Sequence, residues 1–414
     1  MRSLKRNLFQ IKNLNNFKPK KNYMINKNKS RRQFLELGVK SGLVLPFLGT
    51  SLLSCNSSTE EARQSGNQAI KKLSILILGG TSFLGPSQIA YALGRGHSVA
   101  TFTRGKTKPT IHQTLFEQVE QLIGDRSNDL TALENRKWDV VIDNSGHDVE
   151  WARTSAALLK ENADLYLFTS STGVYYPYLE GNIKEDRVLL KKEPEGIEDE
   201  ELKLEYWYGV MKTNSEIAIK EEFGADRTII VRPTYMIGPG DKSDRFIHWP
   251  IRLSKGGETI LPGKANDPIQ YLDVRDAGEW MIRLIEEKKV GTFNAAGPKT
   301  AQNMYDFVEE ATGAFDVATT FVKIDDYDFL KENKIPHLVP WIMPEENNHA
   351  SALTNNQKAL DNGLTFRPLV QSIKDTYNWW YSDAVTKDQR DKVELDPKSL
   401  LMREKEIIVK WKKR

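Results

Sequence analysis

The chain has a single cysteine, Cys55, among 414 residues. One cysteine excludes an intramolecular disulfide framework and any zinc or iron–sulfur site built from several thiolates. The six histidines show no spacing typical of a metal site, and the sequence has no internal repeat. With 39% hydrophobic and 28% charged residues, the composition is ordinary for a globular protein and excludes general disorder.

The excess of positive charge is confined to the N-terminus. Residues 1–32 contain eleven Lys or Arg and no acidic residue. Residues 33–414 hold 48 basic against 56 acidic residues, which is a net charge of −8. This acidic balance argues against a broad surface for binding nucleic-acid phosphates, so no nucleic acid is expected as a partner.

Residues 1–54 predict an export signal. Residues 30–35 read SRRQFL, an apolar stretch follows over 37–53, and Cys55 comes directly after Leu-Leu-Ser. This order resembles a bacterial twin-arginine (Tat) signal that ends in a lipobox, with Cys55 as the lipidated first residue of a periplasmic or cell-envelope lipoprotein. A plain membrane anchor or a buried helix is the alternative, and Met24 is an alternative start.

A dinucleotide-binding βαβ unit is predicted from residue 72 onward. Residues 73–78 form a continuous apolar run, typical of a parallel strand that is covered on both faces. The run enters the segment GGTSFLG at residues 79–85, and then a helical stretch and a second strand at 97–103 follow. Backbone N–H groups of such a turn, together with the helix dipole, bind a pyrophosphate.

The segment resembles the GxxGxxG motif of extended short-chain dehydrogenases/reductases, the NAD-dependent epimerase/dehydratase family, in an atypical branch. Gly79 and Gly85 match the first and third glycines, and Ser82 replaces the central one. The resemblance implies a Rossmann-type, doubly wound parallel sheet of the α/β class and a bound NAD or NADP. The cofactor-binding residues that it implies are Gly79, Thr81, Ser82, Phe83, Leu84, Gly85, Arg104, Asp125, Asn144, Tyr208 and Lys212.

The second predicted strand ends in Arg104, where an acidic residue normally binds the ribose 2′-hydroxyl. An arginine at this position pairs with a 2′-phosphate, so NADP is modestly favoured over NAD. The alternative is that Arg104 stacks on adenine or faces solvent.

The catalytic residues are predicted after the fifth strand and on the next helix. Tyr208 and Lys212 lie four residues apart and therefore share a helix face. A cationic lysine and an oxidised nicotinamide both favour the phenolate, which makes the tyrosine a usable base. The resemblance places the catalytic serine at Ser171, with Thr172 and Ser170 as alternatives. Tyr206 rivals Tyr208 but has no lysine four residues later.

A smaller, mostly C-terminal lobe is expected to bind substrate. The residues predicted to do so are Thr172, Arg245, His248 and Gln270, with Trp249 or Tyr271 as a stacking face for a sugar. A packing role for each is the alternative.

The predicted organisation covers the whole chain. It comprises a signal at 1–54, a polar tether at 55–71, a dinucleotide-binding domain at 72–232 with 265–297 contributing, a substrate lobe at 233–264 and 298–385, and a charged tail at 386–414. A homodimer is left open.

The function expected from the sequence is transient hydride transfer on a sugar or polyol. Free nicotinamide nucleotides are scarce outside the cytoplasmic membrane, so an exported enzyme must regenerate a tightly bound cofactor within each cycle. Epimerisation or oxidation followed by elimination meets this condition. The alternatives are a net NAD(P)-dependent oxidoreductase and a non-catalytic RNA-binding or scaffold protein of the same fold.

Overall fold

The structure is a computed structural model that describes residues 71–414. The predicted signal, the lipidation site Cys55 and nearly all of the tether lie outside the described residues. Within this part no helix is long and apolar enough to cross a membrane.

Fourteen strands occur in the described part of the chain. In order they are β1 Ser74–Leu78, β2 Ser98–Thr103, β3 Glu120–Ile123, β4 Trp138–Asp143, β5 Ala163–Thr169, β6 Thr228–Pro233, β7 Met236–Ile237, β8 Gly257–Pro262, β9 Pro268–Asp273, β10 Gly291–Ala295, β11 Gly297–Asn303, β12 Thr319–Ile324, β13 His337–Leu338 and β14 Trp341–Ile342.

Eleven α-helices accompany them between residues 71 and 414. They are α1 Leu84–Gly94, α2 Val149–Leu159, α3 Glu200–Phe223, α4 His248–Ser254, α5 Val274–Glu286, α6 Met304–Thr312, α7 Tyr327–Glu332, α8 Gln357–Asp361, α9 Leu369–Trp380, α10 Lys387–Glu394 and α11 Leu400–Lys412.

Seven of the strands form one parallel sheet in the order β10-β6-β5-β4-β1-β2-β3. From β1 the chain moves outward to β2 and β3 and then returns to β4 on the other side of β1. The order therefore reverses between β1 and β4, and ligands of open α/β sheets bind at the carboxyl ends of the strands at such a point. The predicted doubly wound Rossmann-type sheet is confirmed.

Both faces of this sheet are covered, which explains the continuous apolar runs in the sequence. Ile75 and Ile77 pack on one face with Trp280 of α5, whereas Leu76 and Leu78 pack on the other with Ala152 of α2. The alternation of β1 side chains between two separate cores follows from the two-residue period of a strand.

The smaller lobe has its own apolar core. It contains a three-stranded sheet of order β11-β9-β7 and the parallel pair β8–β12. Trp249, Phe307 and Trp341 are fully buried in it. Trp379 and Trp380 at the end of α9 are also buried, in a small cluster with Ile251 of α4.

The C-terminal segment differs from the predicted charged tail. Residues 386–414 form α10 and α11, and Ile407 and Ile408 on α11 are buried in the core of the lobe. Glu404 accepts a hydrogen bond from the backbone N–H of Ile260 at 2.9 Å and forms a buried ion pair with Arg252. The segment was predicted to be a tail because it is highly charged. The short apolar stripe that includes Ile407 and Ile408 nevertheless packs it against the lobe.

Candidate active site

The glycine turn after β1 is built for close backbone approach. Gly79 and Gly80 adopt φ of 96° and 100°, a region that favours glycine. A Cβ on Gly85 would lie 2.3 Å from the Cα of Gly80, so α1 packs directly against the turn only because residue 85 has no side chain.

The first turn of α1 leaves backbone donors for a ligand. Its N-cap residue, Phe83, supplies no side-chain acceptor, and Ser82 is exposed beside it. Thr81 is half-buried, whereas Leu84 is buried in the sheet core and Phe83 packs against that core. The Gly85 N–H donates to the Ser82 carbonyl oxygen at 2.9 Å and Pro86 has no N–H, but the backbone N–H groups of residues 80–84 have no acceptor within residues 71–414. A pyrophosphate fits this arrangement because it would accept from these amides at the positive end of the helix. The residues present therefore fit a dinucleotide.

Two more predicted cofactor residues follow β2 and β3. Arg104 is half-buried, and its guanidinium has no hydrogen-bond or ion-pair partner among residues 71–414. The Asp125 carboxylate accepts hydrogen bonds from the Ser127 backbone N–H at 3.0 Å and from the Ser127 hydroxyl at 2.8 Å. Arg104 thus remains available to a ligand, and Asp125 is already fixed within its own turn.

Sequence reasoning missed a buried charge cluster beneath the glycine turn. The Arg126 guanidinium donates to both carboxylate oxygens of Asp143, at 2.6 and 2.9 Å, and the Tyr166 hydroxyl donates to the same carboxylate at 2.8 Å. The partners are 17 and 23 residues from Asp143 in the sequence, so no local pattern could have revealed the cluster.

Asn144 holds neighbouring elements together at the edge of the sheet. Its side-chain amide donates to Oε1 of the Gln88 side chain at 2.7 Å and accepts from the Thr169 hydroxyl at 2.8 Å. Both the nitrogen and the oxygen of the Asn144 amide are therefore hydrogen-bonded within the protein, where they link the end of β4 to α1 and β5.

Ser171 and Tyr208 come together at the end of β5. The Ser171 hydroxyl accepts a hydrogen bond from the Gly173 backbone N–H at 3.0 Å, and both Ser171 Oγ and the Tyr208 ring lie against the Cβ position of Gly173. Two glycines allow the approach. A Cβ on Gly173 would lie 2.8 Å from the Tyr208 ring, and one on Gly209 would lie 2.6 Å from the Gly173 carbonyl oxygen.

The alternatives to these two residues are engaged elsewhere. The Ser170 hydroxyl donates to buried Glu216 at 2.6 Å, and the Thr172 hydroxyl lies 3.4 Å from the Pro233 carbonyl oxygen in a buried position. The Tyr206 ring packs edge-on against Tyr176 at a centroid distance of 4.8 Å.

Lys212 lies one turn beyond Tyr208 on α3 but does not donate to the phenol. Its ammonium donates to the carbonyl oxygens of Gly146 at 2.9 Å and Thr169 at 3.2 Å, and it lies 4.9 Å from the Phe168 ring centroid. Burial lowers the pKa of Lys212 to about 8. The ammonium therefore lies beneath the crevice, between the ends of β4 and β5.

The chain's own charges leave Tyr208 a weak acid. Burial raises the pKa of the Tyr208 phenol above its usual 10, although the nearby Ser171 hydroxyl and the charge of Arg245 oppose that rise. Lys212 is not among the groups that shift the Tyr208 pKa in the described chain, so its expected effect on the phenol stays a prediction. An oxidised nicotinamide ring would add positive charge beside the phenol and would lower its pKa.

Of the four predicted substrate residues, Arg245 alone lies beside Tyr208 with an exposed portion. Its guanidinium is 5.5 Å from the Tyr235 ring centroid and donates to the Ser243 hydroxyl at 2.8 Å. Buried Thr172 contacts Pro233, as described above.

His248 and Gln270 have positions that favour packing over substrate contact. His248 is buried at the start of α4 with its ring edge-on to Trp249, and burial lowers its pKa to about 3. The Gln270 amide donates to the Thr354 carbonyl at 2.7 Å and accepts from the Thr354 N–H at 3.1 Å. Trp249 and Tyr271 belong to the core of the lobe rather than to a stacking face.

Three residues near Tyr208 were not predicted. Glu205, Tyr178 and Tyr235 are half-buried. The charge of Glu205 raises the pKa values of the Tyr178, Tyr208 and Tyr235 phenols. Glu205 had a local signal, since it precedes Tyr208 by three residues on the same helix. Within residues 71–414, no three His, Cys, Asp or Glu side chains lie close enough together to bind a metal ion.

Comparison with known proteins places this geometry in a family. The model of the NAD dependent epimerase/dehydratase family matches residues 75–296, more than half of the chain. The chain belongs to this family. The assignment confirms the expected extended short-chain dehydrogenase type of enzyme and its NAD cofactor.

Two solved structures share the fold. UDP-N-acetylglucosamine 4-epimerase from Methanobrevibacter ruminantium M1, in complex with UDP-N-acetylmuramic acid, is 15% identical with a TM-score of 0.55, over 75% of this chain and 98% of that one. The Bordetella bronchiseptica enzyme WbmH, in complex with NAD+, is 13% identical with a TM-score of 0.54, over 76% of this chain and 100% of that one.

A curated relative has a name of a different kind. The chloroplast stem-loop binding protein of 41 kDa b from Arabidopsis thaliana is 25% identical over 340 residues, covering 77% of this chain and 82% of the relative.

Proposed function

We propose that the protein is an epimerase or dehydratase that oxidises a sugar or polyol hydroxyl transiently and finishes with no net redox change. The observation that carries the proposal is that Ser171 and Tyr208 both lie against Gly173 after β5, in a sheet whose glycine turn after β1 fits a dinucleotide. Membership of the epimerase/dehydratase family supports it.

The chain's residues have distinct tasks in this reaction. Ser171 holds the reacting oxygen by a hydrogen bond, and Tyr208 takes the hydroxyl proton and later returns it. Lys212, whose ammonium donates to the Gly146 and Thr169 carbonyl oxygens, would help to hold the nucleotide through its positive charge. When bound, NAD supplies the hydride acceptor and returns the hydride. Burial raises the pKa of the Tyr208 phenol in the chain alone. The phenol therefore needs positive charge bound beside it in order to lose its proton and act as a base.

The proposed substrate is a sugar nucleotide or a related polyol with an anionic group. One solved neighbour is a UDP-N-acetylglucosamine 4-epimerase in complex with UDP-N-acetylmuramic acid, and another was determined with UDP-glucose and NAD. Arg245 supports an anionic substrate because its guanidinium lies beside Tyr208 and Tyr235 with an exposed portion.

The proposed location is the cell envelope, with export through the Tat pathway and a lipid on Cys55. The order of twin arginines, apolar run and cysteine supports it. An exported enzyme needs a cofactor that stays bound, so we propose tight binding. Arg104 at the end of β2, without a partner in the described chain, supports a preference for NADP.

Stem-loop binding is the second candidate, since a curated relative carries that name. The net charge of −8 over residues 33–414 disfavours it. A net oxidoreductase is a further alternative, which differs in accumulating a reduced or oxidised product.

Replacing Tyr208 by Phe tests the proposal, with Tyr206→Phe as the matched control. Tyr208→Phe removes the proton carrier and keeps the ring, so turnover of UDP-sugars is expected to fall by about 10³-fold while bound nucleotide is retained. Tyr206→Phe keeps its packing against Tyr176 and the wild-type rate. Equal turnover by Tyr208→Phe and wild type contradicts the proposal, and tight binding of an RNA stem-loop by both supports the alternative.

A further inference from the structure

The segment after β2, residues 104–112, leaves the large sheet and ends against the smaller lobe. Gly105 adopts a φ of 68°, which turns the chain away from β2, and its N–H donates to the Thr103 hydroxyl at 3.1 Å. The segment contains three basic residues and no acidic one. It begins at Arg104, where the ribose of the cofactor is expected.

Two sets of contacts join this segment to the turn that follows β7. The Lys242 ammonium donates to the backbone carbonyl oxygen of Lys108 at 3.1 Å. The side chains of Thr110 and Ile111 lie 3.6–3.7 Å from the Cβ position of Gly240, where a side chain would crowd them. A hydrogen bond and a van der Waals contact therefore hold the segment at this turn.

A third contact is apolar. Ile111 is half-buried against the small cluster that includes Ile251 of α4 and Trp380 of α9. Among residues 71–414, every other member of this cluster comes from the lobe. Ile111 is thus the point at which the segment is packed onto a different part of the molecule.

The two sides of this contact come from opposite sides of the strand reversal. Residues 104–112 follow β2, whereas Gly240 and Lys242 lie in the segment after β6. In the sheet, β1 and β4 stand between β2 and β6. The contact therefore bridges the carboxyl ends of β1 and β4, where nucleotides bind in open α/β sheets.

We propose that residues 104–112 are a strap that closes over the bound nicotinamide nucleotide, and that Lys242 and Ile111 keep it closed. The inference rests on the proposed function, because transient hydride transfer without cofactor exchange requires slow release of the nucleotide. It goes further by assigning the slow release to contacts between the strap and the lobe. The positive charge of the strap suits the pyrophosphate of the nucleotide.

Such a strap controls the rates of binding more than the affinity. Its contacts with the lobe join two parts of the chain and do not involve the nucleotide. Weakening them therefore speeds entry and release of the nucleotide alike and leaves the Kd close to that of the wild type. Loss of a residue that contacts the nucleotide directly has a different effect, because the release rate and the Kd rise together.

Ile111→Ala tests the apolar contact, with Ile408→Ala as the matched control. Bound NAD is exchanged against an excess of ¹³C-labelled NAD, and the nucleotide that remains on the desalted protein is quantified by mass spectrometry. Ile111→Ala is expected to release NAD about 10-fold faster than the wild type, because packing on the lobe is lost. Ile408 is buried in the main core of the lobe, so Ile408→Ala lowers the melting temperature and keeps the wild-type release rate.

Lys242→Met tests the polar contact. The variant loses the donor to the Lys108 carbonyl oxygen and keeps the length of the side chain, so NAD is expected to leave about 5-fold faster. The control is Lys374→Met, which removes the same charge from an exposed position on α9 and keeps the wild-type release rate. Titration of NAD is expected to give similar Kd values for the wild type and all four variants.

The outcomes separate the strap from the proposed function. Equal release rates for Ile111→Ala and wild type, with NAD bound to both, overturn the strap and leave the proposed function standing. Faster release with a matching rise in Kd also overturns the strap, since it shows a direct contact with the nucleotide. A wild type that neither retains nor binds a nicotinamide nucleotide contradicts the proposed function, and the strap with it.

Hydrogen–deuterium exchange tests the attachment of the strap without reference to the nucleotide. The backbone amides of residues 104–112 are expected to exchange faster in Ile111→Ala than in the wild type, because the segment opens more often. Ile408→Ala is expected to keep the wild-type exchange rate in this segment. Equal exchange in all three proteins overturns the proposal.

Discussion

At the residue scale, the residues proposed for proton transfer and the neighbouring lysine make separate contacts. Ser171 and Tyr208 both lie against Gly173 after β5, whereas the Lys212 ammonium donates to the Gly146 and Thr169 carbonyl oxygens. Tyrosine, lysine and serine were predictable because their spacing and position after a strand are visible in the sequence. The hydrogen-bond partners of the lysine ammonium were not predictable, since the two carbonyl oxygens that accept from it are 66 and 43 residues away.

The lowered pKa of Lys212 predicts a dependence of stability on pH. Burial lowers this pKa to about 8 from 10.5, so between these values the unfolded chain binds a proton that the folded chain does not. Stability of the wild type therefore rises with pH relative to Lys212→Met, by about 2 kcal/mol between pH 7.5 and 10.

Urea unfolding at several pH values measures this difference. Lys203→Met on the exposed part of α3 serves as the control, and its difference from wild type is expected to stay constant. A constant difference for Lys212→Met as well would show that the lysine keeps its ordinary pKa.

At the scale of elements, the glycine turn and α1 are the proposed cofactor cradle. The strand, the turn and the helix were predictable because apolar runs and glycine chemistry act over a few residues. The roles of His248 and Gln270 were not predictable in the same way. Gln270 is paired with Thr354, which lies 84 residues away, and His248 is buried by packing of the lobe.

Replacing Gly85 by Ala tests the cradle. The new methyl group would meet Gly80 at 2.3 Å, so α1 must move away from the turn. We expect a loss of bound nucleotide together with a lower melting temperature. Gly94→Ala at the other end of α1 is the control, because its Cβ would meet no atom within 4 Å, and it retains the nucleotide. Equal nucleotide content in the two variants would contradict the assignment of the cradle.

At the scale of the described chain, residues 386–414 belong to the smaller lobe rather than to a tail. The sequence favoured a tail because lysines and glutamates dominate this segment and the apolar stripe on α11 is short. Long-range contacts decide the outcome, since Glu404 meets Arg252 and Ile260 about 150 residues earlier.

Replacing Glu404 by Ala tests that attachment. The substitution leaves the Arg252 guanidinium buried without its carboxylate and frees the Ile260 N–H, so the free energy of unfolding is expected to fall by about 3 kcal/mol. Glu406→Ala, two residues later and exposed, is expected to leave the melting temperature unchanged. Similar melting temperatures for wild type and Glu404→Ala would mean that α11 contributes little to the lobe.

We propose that the glycine turn and the Ser171–Tyr208 pair work on a nicotinamide nucleotide that stays bound through each cycle. The most direct test is to purify the protein without added nucleotide, denature it, and quantify the released nicotinamide nucleotide by mass spectrometry. We expect about one equivalent of nicotinamide nucleotide per folded chain, and we expect it to remain bound through gel filtration. Protein that releases no nicotinamide nucleotide, and binds none when NAD or NADP is titrated into it, would contradict the account.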